Sequence, residues 1–419
     1  MRSILFLTQR LPFPPTKGEK IRSWAILSHL ITRGYHVHAA CLIDRTEDLL
    51  YVDTLRQKLV ELHTVRIRPL QGYLRALMGL MTGHAMSFRF FTDKRLRNWI
   101  VEERKRHQFD AVFIASSNMG HYLDLLSDLP VFYDFMDVDS AKWADYAKTR
   151  PWPLSLLYAH EAKIVAMEEG RAGAIARKIA FVSIAEAELF QQLHPQLKKR
   201  VIALPNGCDP YNPAADDFPT TPYAPTIGSG PILSFVGTMD YWPNEQAVCW
   251  FARNVFPTIR ERFKNVHFAI IGTSPGKKVR ALEKIPGVIV TGRVEDVRPW
   301  VAYASLSIAP MQIARGVQNK VLEAMAMGKA TVISSKAATG LPKGLDRHAE
   351  IADTPKQWVE TICALLDNPD RMLKMGHHAR NHTKEELSWD HTLEAVDCFL
   401  EEIQPAHASG SSPNDDSSF

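Results

Sequence analysis

Short apolar runs alternate with longer stretches of helical periodicity along this chain, and the whole pattern is written twice. In the first half the runs are Ile4–Leu7, Val37–Leu42, Ala111–Ala115, Val131–Phe135, Ile179–Val182 and Val201–Leu204. Helical segments lie between them, among them Lys20–Ile31, Lys94–Lys105, Leu154–Ala174 and Ala185–Leu193. The second half restarts with Leu233–Val236, Phe268–Ile271, Val288–Val290, Leu306–Ala309 and Thr331–Ser334. Buried parallel strands read as near-continuous apolar runs, and each needs a crossover before the next. The pattern therefore specifies an α/β fold of two Rossmann-like, doubly wound domains, with a deep cleft expected between them.

The restart has a compositional mark. Residues 205–231, PNGCDPYNPAADDFPTTPYAPTIGSGP, concentrate Pro, Gly, Asp and Thr and lack apolar periodicity. Proline fixes φ and removes a backbone donor, so this stretch resists both helix and central strand. It reads as a linker between a first domain, 1–204, and a second, 232–385. A last helix, 386–404, is expected to be free to pack back on the first domain. The Ser-rich end, 405–419, reads as a disordered tail.

Composition narrows the function classes. The 419 residues exceed one usual domain, and 46% apolar with 23% charged residues is ordinary globular usage. Fifty Lys+Arg against 46 Asp+Glu is too mild a balance for a nucleic-acid binder. Five scattered cysteines, with no CxxC pair, suit reduced thiols and offer no zinc framework. The first residues, MRSILFLTQRLPFPP, are too short in apolar length for a signal peptide and read as a buried strand. A cytoplasmic protein is expected, with peripheral attachment to the inner face of the plasma membrane left open.

In open parallel sheets, ligands sit outside the carboxyl ends of the strands. Three strands of the second half end in Gly/Thr pairs: Gly237-Thr238, Gly272-Thr273 and Thr291-Gly292. Glycine admits sharp turns and close ligand approach, although any such sheet needs tight turns there. More specific is GVQNKVLEAMAMGKA, from Gly316 to Ala330, where a helix opens after a strand and stops at Gly328. Its N-terminal amides and dipole favour an anion, flanked by the charges of Arg315 and Lys320. Glu323, one turn beyond Lys320, would be repelled by phosphates unless it has its own target. The vicinal hydroxyls of a ribose are such a target. An exposed Lys–Glu pair on a surface helix is the plainer alternative.

These residues resemble the signature helix of family-four, GT-B-type glycosyltransferases. The likeness runs over nearly the whole chain: the Pro14–Gly18 loop, VSIAEAELF, LPNGCD, VGTMDYWPN, VTGRVEDV and GVQNKVLEAMAMGKATVIS. VDS-x-KW-x-x-YA and GVQNK are similar to bacterial sugar transferases of exopolysaccharide and PEP-CTERM/exosortase gene sets. The usual motif has two glutamates, and Arg315 stands where the first would fall, which bears on the donor sugar and on any mechanism needing that carboxylate. The resemblance implies a donor side with Glu323 on the ribose and the Gly316 and Val317 amides on the diphosphate. It also implies Arg293 and Val294 near the nucleobase edge, with Gly237, Thr238 and Asn244 on the same side. Lys320 and Arg315 would stabilise the departing diphosphate. The reaction implied is sugar transfer from a nucleotide-diphosphate donor to a glycan or polyprenyl-linked acceptor, with retention.

On the acceptor side, the loop after the first strand offers Lys17, Gly18 and Arg22. The acceptor proton needs a base, and the candidates follow two later strands: His121, and Asp137 within Asp134-Phe-Met-Asp-Val-Asp139. Histidine ordinarily titrates near neutrality, and a carboxylate can orient a hydroxyl. One acid of the cluster is expected merely to cap the next helix. Arg315, Lys320 and helix amides can offset the diphosphate charge, so neither metal nor cofactor is expected. Residues 66–107 interleave Arg/Lys with Leu, Met, Phe and Trp at helical spacing, a pattern that suits either a membrane interface or ordinary packed helices. Two competing readings are a non-catalytic nucleotide-sugar-binding scaffold, and an epimerase or hydrolase on the same fold.

Overall fold

The computed structural model describes residues 2–15, 18–208, 218, 220–223, 227, 230–314, 317–342 and 344–403. The chain forms two compact units, Met1–Leu204 with the residues from Leu393 onward, and Pro205–Thr392.

The first unit holds seven strands: β1 (Ser3–Thr8), β2 (His36–Ile43), β3 (Glu61–Arg66), β4 (Ala111–Ala115), β5 (Val131–Met136), β6 (Lys178–Phe181) and β7 (Val201–Ala203). All pairings are parallel, in the order β3-β2-β1-β4-β5-β6-β7. The order reverses beside β1, so the β1 and β4 carboxyl ends flank the topological switch. Six of the seven were legible as apolar runs. β3 (ELHTVR) was not, because it is an edge strand with exposed ends and polar residues.

The second unit holds β8 (Ile232–Val236), β9 (His267–Ile271), β10 (Val288–Gly292), β11 (Leu306–Ala309), β12 (Thr331–Ile333) and β13 (Glu350–Ile351). Again every pair is parallel, ordered β10-β9-β8-β11-β12-β13, with the switch between β8 and β11. The two-residue β13 escapes any periodicity argument. Each unit has its own core. Phe113, Phe132 and Phe135 lie in the first, and Phe251, Phe268 and Trp358 in the second.

Within the segment read as a linker, Asn206, Cys208 and Tyr223 are built into the second unit. Asn206 Nδ2 donates to Asn319 Oδ1 at 2.8 Å, the Cys208 amide to the Leu387 carbonyl at 2.8 Å, and Tyr223 Oη to the Trp300 carbonyl at 2.7 Å. The last helix, Glu394–Glu402, packs on the first unit: Phe399 meets Phe113 and Phe132 edge-on, and Asp397 pairs with His29 and Arg33. Residues 404–419, which include the sequence-assigned tail, lie outside the described residues.

Candidate functional site

In the second unit the β8 and β9 ends are pressed together. The Gly237 amide donates to the Ile271 carbonyl at 3.0 Å, and Met239 N to the Thr273 carbonyl at 2.9 Å. Gly272 takes φ +143°, and a Cβ there would lie 1.9 Å from the Gly237 carbonyl oxygen, so only glycine fits. From this turn the chain enters the helix Trp242–Asn254, whose Asn244 is buried. Asn244 Nδ2 donates to the Thr238 carbonyl at 3.0 Å, fixing the loop.

The helix carrying the charged pair spans Asn319–Ala326. It starts at Asn319 because Asn206 holds that side chain and the Gln318 carbonyl takes the Val321 amide at 2.8 Å. It ends in a Schellman turn: Gly328, at φ +71°, donates to Met325 O and Lys329 to Ala324 O. Lys320 Nζ donates to Asn244 Oδ1 at 3.2 Å and Gln318 Oε1 at 3.1 Å, and stands 5.2 Å from the Phe235 ring centroid. Its immediate partners are thus neutral, and burial lowers its pKa to about 8 despite the help of Glu323. Burial likewise raises Glu323 to about 7, against the pull of Lys320. Among the described residues no ion pair within 4.0 Å joins the two. A half-buried cation with neutral partners and a half-buried carboxyl one turn away can take an anion and a pair of hydroxyls.

Of the sequence-assigned donor residues, the structure joins Lys320, Asn244 and Thr238 by hydrogen bonds and sets Gly237 beneath them. Val317 is half-buried against the core of the unit. Arg293 is exposed after the edge strand β10, and Val294 packs toward the Tyr223 cluster. Arg315 and Gly316 lie outside the described residues, as does Lys17. Tyr241 and Trp242, 47% and 44% exposed at the mouth of the β8 loop, were passed over. The signal was there: an aromatic pair just ahead of a helix-opening proline serves packing poorly when it faces solvent.

The first unit corrects two readings, those of Arg22 and His121. Arg22 is not a charge offered to ligand. It is buried, with Nε and Nη2 on the two oxygens of Asp134 at 2.6 and 2.8 Å and Nη1 on the Leu204 carbonyl. Asp134 is consumed by the same pair. His121 does not titrate near neutrality, because burial pushes its pKa down to about 3. Asp139 opens the helix Asp139–Thr149 and accepts from Ser117 Oγ. Asp137 stays at the β5 end, half-buried, its amide on the Phe135 carbonyl at 3.0 Å. Gly18 is exposed at the first position of the helix Gly18–Thr32.

Strain marks both units at the same place. The non-glycine residues with positive φ are Ser116 (87°), Met136 (70°) and Ser274 (58°), among the described residues. Ser116 follows β4, Met136 ends β5, and Ser274 lies just past β9. Left-handed serine and methionine persist only where surroundings over-determine them, commonly at functional sites. Ser116 Oγ reaches Gln9 Oε1, which also accepts from Asn118 Nδ2 at 3.2 Å. Gln9, Glu19, Ser116 and Met136 border a cavity of about 10 Å³.

One group among the described residues has the donors for a metal ion: His38, Glu103 and His107, with ligand atoms within 4.8 Å of one another. His38 lies near the start of β2, at the opposite end of the sheet from the strand carboxyl ends. It has no part in the site described.

Residues 230–368, which contain β8 to β13 and the Lys320 helix, match the model of the glycosyl transferases group 1. The second unit thus carries a domain of the glycosyl transferases group 1, and the chain has the GT-B fold. Similar solved structures span both units. Anabaena Alr3699/HepE, in complex with UDP-glucose, is 12% identical with a TM-score of 0.65, covering 96% of this chain and all of its own. WaaG, a glycosyltransferase involved in lipopolysaccharide biosynthesis, is 16% identical with a TM-score of 0.63, covering 94% of this chain and 99% of its own. An E. coli trehalose-6-phosphate structure bound with UDP-2-fluoro glucose is 12% identical with a TM-score of 0.66, covering 96% and 100%. No curated protein sequence matches. At such identities the structures establish the chain's fold and leave any donor to its own residues.

Proposed function

We propose that this protein is a glycosyltransferase that moves a hexosyl group from a nucleoside-diphosphate sugar to a glycan or polyprenyl-linked acceptor in cell-surface polysaccharide synthesis, with retention, at the cytoplasmic face of a membrane. The carrying observation is the pair on the Asn319–Ala326 helix: Lys320 held on neutral Asn244 and Gln318, and Glu323 one turn on. Lys320 takes the diphosphate, whose negative charge grows as the glycosidic bond breaks. Glu323 accepts hydrogen bonds from the ribose diol. Stabilising charge where it develops is the largest lever such a site has. UDP-glucose bound by a structure of the same fold supports a uridine donor.

Asp137, beside the strained Met136, is the residue we assign to the acceptor hydroxyl. With His121 near pKa 3, the alternative base is an oxygen of the departing diphosphate. Cationic side chains and amides serve the diphosphate without a divalent ion. The test is release of nucleoside diphosphate from a panel of nucleotide sugars, with and without polyprenyl-phosphate glycan acceptors, in excess EDTA. Acceptor-dependent release that survives EDTA supports the reading. Release without acceptor would indicate a hydrolase, and binding without release a scaffold.

A further inference from the structure

The helix Pro69–Met81 is inside out for a surface helix. Its inward positions are small: Gly72 and Gly79 are buried, and a Cβ on them would lie 2.6 Å from the Phe90 ring and 2.8 Å from Arg89 Cγ. The Met86–Phe90 helix therefore packs directly on its backbone. The large apolar side chains face outward instead. Leu70, Tyr73, Leu74, Leu77, Met78 and Met81 are 55–81% exposed. At 100° per residue they fall within one arc on the side away from Gly72 and Gly79. A contiguous apolar stripe of this kind on an isolated surface signals a binding face.

The charge around it selects the partner. Between Leu62 and Thr92 there are four arginines and no aspartate or glutamate. Arg66 and Arg68, exposed, lead into the helix. Arg95, also exposed, donates to the Arg66 carbonyl at 2.9 Å and joins them. Of the acids bordering this segment, Asp93 is buried and shared between Arg75 and Arg95, Glu161 is buried on the Met86 and Ser87 amides, Glu168 pairs with His84, and Glu61 is exposed just ahead of Leu62. Thirteen residues give a helix of about 20 Å, too short to cross a bilayer and suited to lying along one.

We propose that this face docks on a bilayer containing anionic lipid, the apolar stripe entering the headgroup boundary and the arginines meeting the lipid charge. This deepens the membrane contact of the proposed function and depends on the helix face alone, so vesicle binding is read without sugar transfer. The test is flotation of the full chain with phosphatidylcholine vesicles, with or without phosphatidylglycerol. The expected result is binding at least about tenfold stronger to the anionic vesicles, weakening with salt. Leu77→Glu with Met78→Glu, both at exposed positions, should lose that binding while keeping the melting temperature and nucleotide-sugar affinity. Failure of the wild type to float, equal binding to neutral vesicles, or full binding by the double variant would overturn the proposal. A wild-type dimer that the double variant dissociates in light scattering would also overturn it, by giving the face to a second copy. Loss of nucleotide-sugar binding with vesicle binding intact would count against the donor site and leave the docking face standing.

Discussion

Asn244 accepts from Lys320 Nζ at 3.2 Å while donating to the Thr238 carbonyl at 3.0 Å, so one buried amide ties the β8 loop to the charged helix of the second unit. This makes Asn244 a positioning residue for the ammonium. Asn244→Ala should strip a hydrogen bond from both neighbours and weaken donor binding by about 1–2 kcal/mol, with a lowered melting temperature. Asn244→Asp should instead raise the Lys320 pKa and repel the diphosphate. Calorimetric donor affinities of the two variants, taken together, check the relationship.

Glu323→Gln should leave folding nearly unchanged, since the carboxyl is largely protonated below pH 7 in the free protein. Donor affinity above that pH should fall by about 1.5–3 kcal/mol, the worth of a hydrogen bond to a charged group. The check is a donor titration at pH 8 beside a melting curve.

The pH dependence of donor binding follows from the same pair. Glu323 ionises as pH rises through about 7, and Lys320 loses its proton above about 8. Binding needs the carboxylate to accept from a diol and the ammonium to meet a phosphate. Affinity should therefore peak between these values and fall on both sides. Lys320→Arg should abolish the alkaline fall, and Glu323→Gln the acid one. A flat wild-type profile would exclude these two groups as the donor ligands.

Much of the architecture was legible because buried parallel strands are apolar runs and the crossovers carry helical periodicity. Lys320 and Glu323 were legible as charges at the start of a helix after a strand. Arg22 was not, because a sequence does not say that Asp134 lies within reach across the sheet. His121 looked titratable because burial of a ring cannot be read from one residue. The outward stripe of Pro69–Met81 was visible as interleaved Leu, Met and Arg, but its direction depends on Gly72 and Gly79 accepting the neighbouring helix.

Arg22→Ala should act on stability. It leaves Asp134 buried without its bidentate partner, a loss of about 3–5 kcal/mol. Urea unfolding measures it. A stable variant defective only in transfer would return Arg22 to the ligand side.

Glu169 sets a second pH effect, on folding. Its carboxyl is fully buried on Ser140 N and Oγ, and burial raises its pKa to about 8. Unfolding releases its proton anywhere between the ordinary carboxyl value and that pKa, so stability falls as pH rises through this interval. Glu169→Gln should flatten the decline. Melting temperatures from pH 5 to pH 9 for the two proteins compare them directly.

The central claim, that the Lys320–Glu323 helix is a nucleotide-sugar site, is tested most directly by titrating nucleotide sugars, UDP-glucose first, into the wild type and into folded Glu323→Ala and Lys320→Ala by calorimetry at pH 7.5. The account predicts saturable one-to-one binding by the wild type of at least one nucleotide sugar, and a loss of about tenfold or more in each variant. Wild-type affinity retained in both variants would contradict it.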